Sequence, residues 1–521
     1  MAAQTNFISS HRRRGVQDTL KRAEALWWVY FAGVIGLTGA ICLLLVRQTL
    51  PERVLGMTLI LLGCASIFYR PVFGVYLMVF LALAGDSVLL PWYPFLKGFS
   101  SPESMVFLSR AIIFSPLELF LSVTMVSWAG RRIARKELQL VRGPLDVPVL
   151  LFLVFVILGL FYGLVTGGKT NVALWEARPL IHMALIYFLT TNMVKHRDQV
   201  NRLMWAAVLG LLCMSLSGIL FFFFELRGDL AGVGSIMEHG SAIQLNSVLM
   251  MGLVAWMYKG SFAKRWGLLF VIACVLLPYF AAQRRAAFLT LAVALVVMMI
   301  YLYRDFRRIF WLTVPALVMA GVLYVAVFWN VTSTLGLPVQ ALKTVIAPKY
   351  VSARDQSSNY YRVLENINSS FTIHARPLTG VGFGQKFYEI VQLPDISFYV
   401  WHEYITHNSI IWIWMKMGVG GFLAMMYMMG MTLICGMFVI NRMPEGDLRV
   451  IAMTATLYIL MHFIYAYVDM AWDSRSLVYI GAMMGLINCL EQIAQKKVRP
   501  KKRRWPWQAQ PQSEQAILPL A

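Results

Sequence analysis

Fourteen stretches of this chain are apolar over roughly the length of a bilayer-crossing helix, and that repetition decides most of what it can become. A membrane helix needs about 20 predominantly apolar residues. Such stretches lie at 26–46, 53–69, 72–90, 111–129, 147–165, 178–194, 203–224, 241–258, 267–283, 285–303, 310–330, 408–440, 449–468 and 474–493. The spans near 53, 178 and 267 are short, so the expected count is 12–14. Composition agrees: 59 % of residues are hydrophobic and 14 % charged, whereas a soluble globule is about 45–50 % apolar and a quarter charged. A string of soluble domains is excluded. The expected fold is all-α, a polytopic transmembrane helix bundle.

Charge sets the orientation. Lys and Arg number 46 against 25 Asp and Glu, for a net +21. In so apolar a chain this excess reads as cytosolic loops beside an anionic bilayer, not as nucleic-acid binding. Residues 1–25 carry His11-Arg12-Arg13-Arg14 and Lys21-Arg22, followed by a long span with no small-residue cleavage site. They read as a cytosolic N-terminus ahead of a retained helix, not a removable signal. With that end inside, alternate connections put most Lys and Arg on the cytosolic side, and both termini are predicted to be cytosolic. The expected order is helices 1–11 over 26–330, an extracytoplasmic loop over 331–407, helices 12–14 over 408–493, and a basic tail over 494–521 drawn to membrane lipids. The cysteines Cys42, Cys64, Cys213, Cys274, Cys435 and Cys489 all sit in apolar runs without a CxxC pair, and read as small buried hydrophobes.

The loop 331–407 breaks the rhythm. Connections of that length are usually functional or disordered, and its Trp401, tyrosines and turn signals predict a folded cap with short helices. Matched, Gly/Pro-broken helices in two halves, a mark of many transporters, are not evident.

The segment after this loop carries the chemistry. Asn408 and Ser409 are good helix-start residues, placing His407 at the positive end of a helix dipole, where a neutral imidazole is favoured. Such a ring can take a proton from a hydroxyl. Gly418 and Gly421 follow about three turns later, where they would let a neighbouring helix approach closely; an interfacial histidine above a packing pair is the plain alternative. Upstream, Arg376-Pro377-Leu378-Thr379 leads into Gly380-Val381-Gly382-Phe383-Gly384, read as a tight turn beside the membrane surface and not as a nucleotide cradle.

Arginines supply the second constellation. Arg284 and Arg285 lie at an outward helix junction, where an arginine near hydrocarbon is costly, about 2.5–3.5 kcal/mol at a helix centre and less at the interface. Guanidinium suits phosphate oxygens, so an anionic ligand is expected there. Neighbours on a helix diverge by about 100°, and Arg285 is the preferred one to face it. Arg362 could add a phosphate contact. Arg178, Arg376 and Asn408 are further candidates for substrate contacts, with Glu176 expected to pair with Arg178. Asp86, Glu238, His239, Asp469 and Asp473 lie near outer helix ends, where structural polar contacts are the plainer reading and sugar hydroxyls the alternative.

Together these segments resemble the O-antigen ligase and polymerase superfamily. Its His followed by Asn, Ser or Gln, a nine-residue spacer and Gly-x-x-Gly is matched by His407-Asn408, Ser409 to Met417, and Gly418 to Gly421. Its Pro-Leu-x-Gly-Val-Gly turn is matched by Pro377 to Gly382, its junction arginine by Arg284 or Arg285, and its loop arginine by Arg362. The likeness is concentrated in residues 280–425.

The resemblance implies a C-type glycosyltransferase fold with the large loop capping the site. It also implies a multi-pass protein of the bacterial inner membrane working at the periplasmic face on an undecaprenyl-diphosphate-linked glycan. His407 would be the base and the arginines would hold the donor diphosphate. No cofactor and no metal are expected: the outer loops hold no Asp-x-Asp pair or clustered metal ligands. The preferred activity is polymerase, joining lipid-linked repeat units into a cell-surface polysaccharide such as O-antigen or exopolysaccharide. The second is a ligase passing the glycan to lipid A-core or a protein hydroxyl, and a more distant third is a lipid-linked oligosaccharide flippase. Acceptor glycan or core lipid, and polysaccharide export and chain-length proteins, are the implied partners.

Overall fold

A computed structural model of the chain describes residues 51–495 apart from positions 92, 94, 96, 137, 138, 231, 232, 332, 351, 352, 397, 398 and 400. The N-terminus 1–25, the expected span 26–46 with Cys42, and the tail from 496 onward lie outside the described residues. Fifteen α-helices are described: α1 Pro51–Tyr69, α2 Val72–Ala84, α3 Pro116–Ala134, α4 Asp146–Val165, α5 Thr170–Met193, α6 Arg197–Leu220, α7 Ser241–Met257, α8 Phe262–Ala281, α9 Arg285–Asp305, α10 Arg307–Phe328, α11 Leu337–Ile346, α12 Ala353–Ala375, α13 Ser409–Arg442, α14 Asp447–Val468 and α15 Ser474–Gln495. A π-helical turn, Phe221–Glu225, extends α6. Among the described residues no strand occurs, and nine helices (α4, α5, α6, α8, α9, α10, α13, α14 and α15) are long and apolar enough to cross a membrane. α1, α2 and α7 contain shorter apolar helices.

Two expected spans shift for identifiable reasons. At α3, Ser115 and Glu118 form a reciprocal capping box with Pro116 next in line, a start signal strong enough to fix the helix at 116 and not 111. α5 begins at Thr170, eight residues before the expected span, and runs through Pro179. Its first two turns bury Val172, Ala173 and Ala177, but Glu176 lowers their apparent hydropathy.

α14 and α15 form the centre of the bundle. On α15, a Cβ added to Gly481 would stand 2.4 Å from the Met183 carbonyl oxygen of α5, so small residues let these two backbones approach closely. The periphery is different: α10 leaves Leu312, Leu317 and Val327 exposed, an outer face suited to lipid. In the 331–407 segment, α11 packs on α9 and α12 packs on α13. α13 is two helical pieces joined at Gly418, whose φ of 66° and ψ of −172° are not helical.

Candidate functional site

The site is built around the break in α13. In an unbroken helix the Val419 N–H would bond to the Met415 carbonyl and the next N–H to Lys416. Here the Met415 and Lys416 carbonyls instead accept from the N–H groups of Val381 and Gly382, at 2.8 and 3.1 Å, and Val419 N–H donates to the Pro377 carbonyl at 3.0 Å. The segment 377–382 therefore supplies the partners that the break removes, as buried backbone polar groups require. Glycine is needed on both sides of the contact. Gly380 and Gly382 have φ of 68° and 87°, and a Cβ on Gly418 would lie 2.0 Å from the Leu378 carbonyl oxygen.

This corrects the expectation for the Gly418–Gly421 pair. Gly418 receives a peptide segment, not a neighbouring helix, and Gly421 faces Met417 of its own helix. Gly420 is the one that approaches Phe155 of α4. Nor does one regular helix carry both His407 and Gly418, because His407 precedes the start of α13 at Ser409 and the helix breaks at Gly418 itself. The glycine-rich turn is a tight one, but it is inserted between helices: Phe383 N–H donates to the Gly159 carbonyl of α4 at 3.2 Å and Lys169 N–H to the Gly384 carbonyl at 3.0 Å.

A buried ion pair closes this junction. Lys416 Nζ lies 2.9 Å from Glu176 Oε1, with both side chains wholly enclosed, while Glu176 Oε2 accepts the Gly384 N–H at 2.6 Å. Glu176 was expected to pair with Arg178. Arg178 instead points to α3, where it meets Glu118 at 3.2 Å and donates to the Ile113 carbonyl at 3.0 Å. The two residues sit on one helix but diverge by about 200°.

His407 stands just before α13. Its backbone N–H donates to Glu365 Oε2 at 2.7 Å, and its ring Nδ1 lies 3.1 and 3.2 Å from the two oxygens of the same carboxylate. Glu365, on α12, is buried. A carboxylate on Nδ1 fixes the proton there and leaves Nε2 as the basic nitrogen. Tyr361, one turn earlier on α12, packs edge-on to the ring at 5.7 Å. Asn408 is the helix cap, its side-chain oxygen accepting the Ile411 N–H at 3.1 Å, so its side chain is engaged and buried.

The arginines separate into two kinds. Arg285, the preferred one from sequence, is turned to the 331–407 segment, bonding Thr344 of α11 at 2.8 Å and Asp355 of α12 at 3.2 Å. Arg284, at the cap of α9, forms no ion pair among the described residues, and its Nε is buried without a partner. Arg362 lies 3.6 Å from Asp469, and its Nε is likewise unpartnered. Both Arg284 and Arg362 lie within electrostatic range of the Tyr465 hydroxyl of α14. Arg376 is exposed after α12 and does not line the central cavity.

That cavity, of about 1680 Å³, is lined by His407, Tyr361, Arg178, His182, His239 and Trp401 among others. Asp469 underlies its edge. Burial alone would raise this carboxyl, but His239 at 3.0 Å and the nearby charges of Arg362 and His407 outweigh it and hold it well below the ordinary carboxylate range. A second polar node surrounds Arg475, which donates to the Gly85 carbonyl at 2.6 Å, pairs with Glu238, and lies 3.6 Å from Asp86. Three carboxylates, counting Asp473, face this one guanidinium. Burial, opposed by Arg475 but reinforced by Asp86 and Asp473, pushes the Glu238 carboxyl up to about 7.

Three residues of this architecture carried no motif: Glu365, Lys416 and Arg475. Glu365 alone had a local signal, lying three residues after Arg362 on what reads as one helix. The partners of Lys416 and Arg475 come from distant helices.

Residues 271–426 match the family model described as O-antigen ligase. The matched stretch runs from within α8 into α13 and includes Arg284, Arg285, Arg362, His407 and the glycine segment. That part of the chain is similar to the O-antigen ligase family. No curated protein matches the chain.

Proposed function

We propose, taking the O-antigen ligase family segment as the premise, that this protein is a polymerase joining undecaprenyl-diphosphate-linked repeat units into a cell-surface polysaccharide. The observation that carries this reading is the His407–Glu365 dyad on the cavity, with Arg362, whose Nε has no partner, 3.6 Å from the Asp469 carboxylate on which His407 also acts. In the reaction, His407 Nε2 removes the proton of an acceptor sugar hydroxyl. Glu365 holds the ring and stabilises the imidazolium that forms. The hydroxyl oxygen attacks the anomeric carbon opposite the diphosphate, inverting the centre, and the electrons of the broken bond remain on the diphosphate. Arg284 and Arg362 neutralise the charge that develops there, so the step asks for no metal.

Arg178 and the 331–407 segment would contact the sugars as a cap. The active end would face the periplasm from the bacterial inner membrane, with both termini cytosolic, and export and chain-length proteins would receive the product. The second reading, in keeping with the word ligase in the family's description, is transfer of the glycan to lipid A-core or a protein hydroxyl. Both use the same donor and base.

Purified protein incubated with lipid-linked repeat units, without nucleotide or metal, decides between them. Longer lipid-linked chains support the polymerase. Transfer only to added core lipid supports the ligase, and no consumption of donor in either arrangement rejects both.

A further inference from the structure

A second histidine on the cavity is held in the same manner as His407, and nothing above gives it a task. His239 lies just before α7. Its Nδ1 sits 3.0 and 3.2 Å from the two oxygens of Asp469, a carboxylate that is itself buried, fixed by the Met470 N–H at 2.9 Å, and 3.6 Å from Arg362. With Nδ1–H committed, Nε2 is the ring's remaining polar atom, and it has no partner among the described residues. The side chain is about 40 % exposed and lines the cavity that His407 lines. The neighbouring Glu238 does not compete for it, being tied to Ser87 and Arg475.

One buried carboxylate thus holds both a guanidinium and an imidazole. We infer that His239 is a diphosphate-binding residue, its ring doubly protonated in the complex, with Nδ1–H donating to Asp469 and Nε2–H to an oxygen of the leaving diphosphate. The inference rests on the donor proposed above. Atoms and charges balance without a second proton transfer: the acceptor proton goes to His407, the C1–O bond to the diphosphate breaks with its electron pair left on oxygen, and His239 keeps its proton while sharing it. The two dyads then divide the reaction, one on the attacking hydroxyl and one on the departing group.

The test measures binding of undecaprenyl diphosphate, with undecaprenol as control, to the full chain in detergent. His239→Leu removes the donor while filling the space, and is expected to weaken undecaprenyl diphosphate binding about tenfold, as loss of a hydrogen bond to a charged group would. His239→Gln keeps an N–H and is expected to stay within about threefold of wild type. A second measurement needs no variant: undecaprenyl diphosphate should slow diethyl pyrocarbonate modification of His239, read by peptide mass, and undecaprenol should not. Unchanged affinity in His239→Leu, or unchanged modification of His239, overturns the assignment while leaving the donor intact if Arg362→Ala still weakens binding. Failure of the wild type to bind undecaprenyl diphosphate at all overturns the donor reading, and this inference with it.

Discussion

Lys416 of α13 and Glu176 of α5 meet at 2.9 Å with neither side chain open to solvent. The pair joins two helices to the glycine segment, because Glu176 also accepts the Gly384 N–H. An ammonium and a carboxylate at such depth are tolerable only together. Removing one strands the other, at a cost of about 3–5 kcal/mol.

Lys416→Met should therefore lower the melting temperature of the detergent-solubilised protein sharply. The double variant Glu176→Gln/Lys416→Met should recover most of the loss, since Gln retains an oxygen for Gly384. Wild-type melting of the single variant would show that the pair does not hold the junction.

Gly418 offers a sharper steric test. Alanine there must adopt φ of 66° and place its Cβ against the Leu378 carbonyl, so Gly418→Ala should abolish accumulation of folded protein. Gly430, on the same helix, has open space where a Cβ would stand. Gly430→Ala should be neutral or stabilise by up to about 1 kcal/mol. Equal yields and melting temperatures for the two variants would contradict this account of the break.

Adjacent arginines should give different phenotypes. Arg284→Ala and Arg362→Ala should weaken donor binding about tenfold each, with melting temperature held. Arg285→Ala should instead loosen α11 and α12, which it ties through Thr344 and Asp355, and limited proteolysis between 331 and 407 should accelerate. Donor affinity retained in the first two variants would remove the diphosphate clamp.

The base and its carboxylate should be separable by size of effect. His407→Ala should lower turnover about 10²–10⁴-fold, and Glu365→Gln less, because Gln still accepts from the ring Nδ1–H but no longer stabilises the imidazolium. Turnover of donor by a folded His407→Ala variant at the wild-type rate would refute the proton-transfer role.

Stability should fall as pH rises through the neutral range. Glu238 has its carboxyl raised from 4.5 to about 7 in the folded protein, so between those values the folded state holds a proton that the unfolded chain has released. That contribution is complete below about pH 4.5 and disappears through pH 7. Melting curves across this window should slope downward, and Glu238→Gln should flatten them; an unchanged slope in the variant would assign the effect elsewhere.

What the sequence made legible follows from which forces are local. Apolar runs set the helices, and even the boundaries agree where hydropathy and caps coincide, as at α4, expected from 147 and observed from 146. The runs misled where a charge was silenced by a remote partner. Glu176 looked like a helix-end residue near Arg178, because its true partner, Lys416, lies far along the chain. The arginine pair was equally opaque. Helical geometry says that Arg284 and Arg285 diverge, but only the placement of Asp355 and Thr344 shows which one is already occupied. His407 was conspicuous through its spacing to glycines, although those glycines serve a broken helix and not a helix crossing. Glu365 carries no motif beyond its distance from Arg362, and its meeting with His407 depends on how α12 docks on α13.

The graft of residues 377–382 onto α13 has a consequence for biogenesis. In its broken form, α13 alone would present the Met415 and Lys416 carbonyls to hydrocarbon with no donor, which costs several kcal/mol per group. Its two halves become one element only when a stretch synthesised earlier is seated between α4, α5 and the break. The break in α13 is consequently set together with the seating of residues 377–382, and not while that helix stands alone.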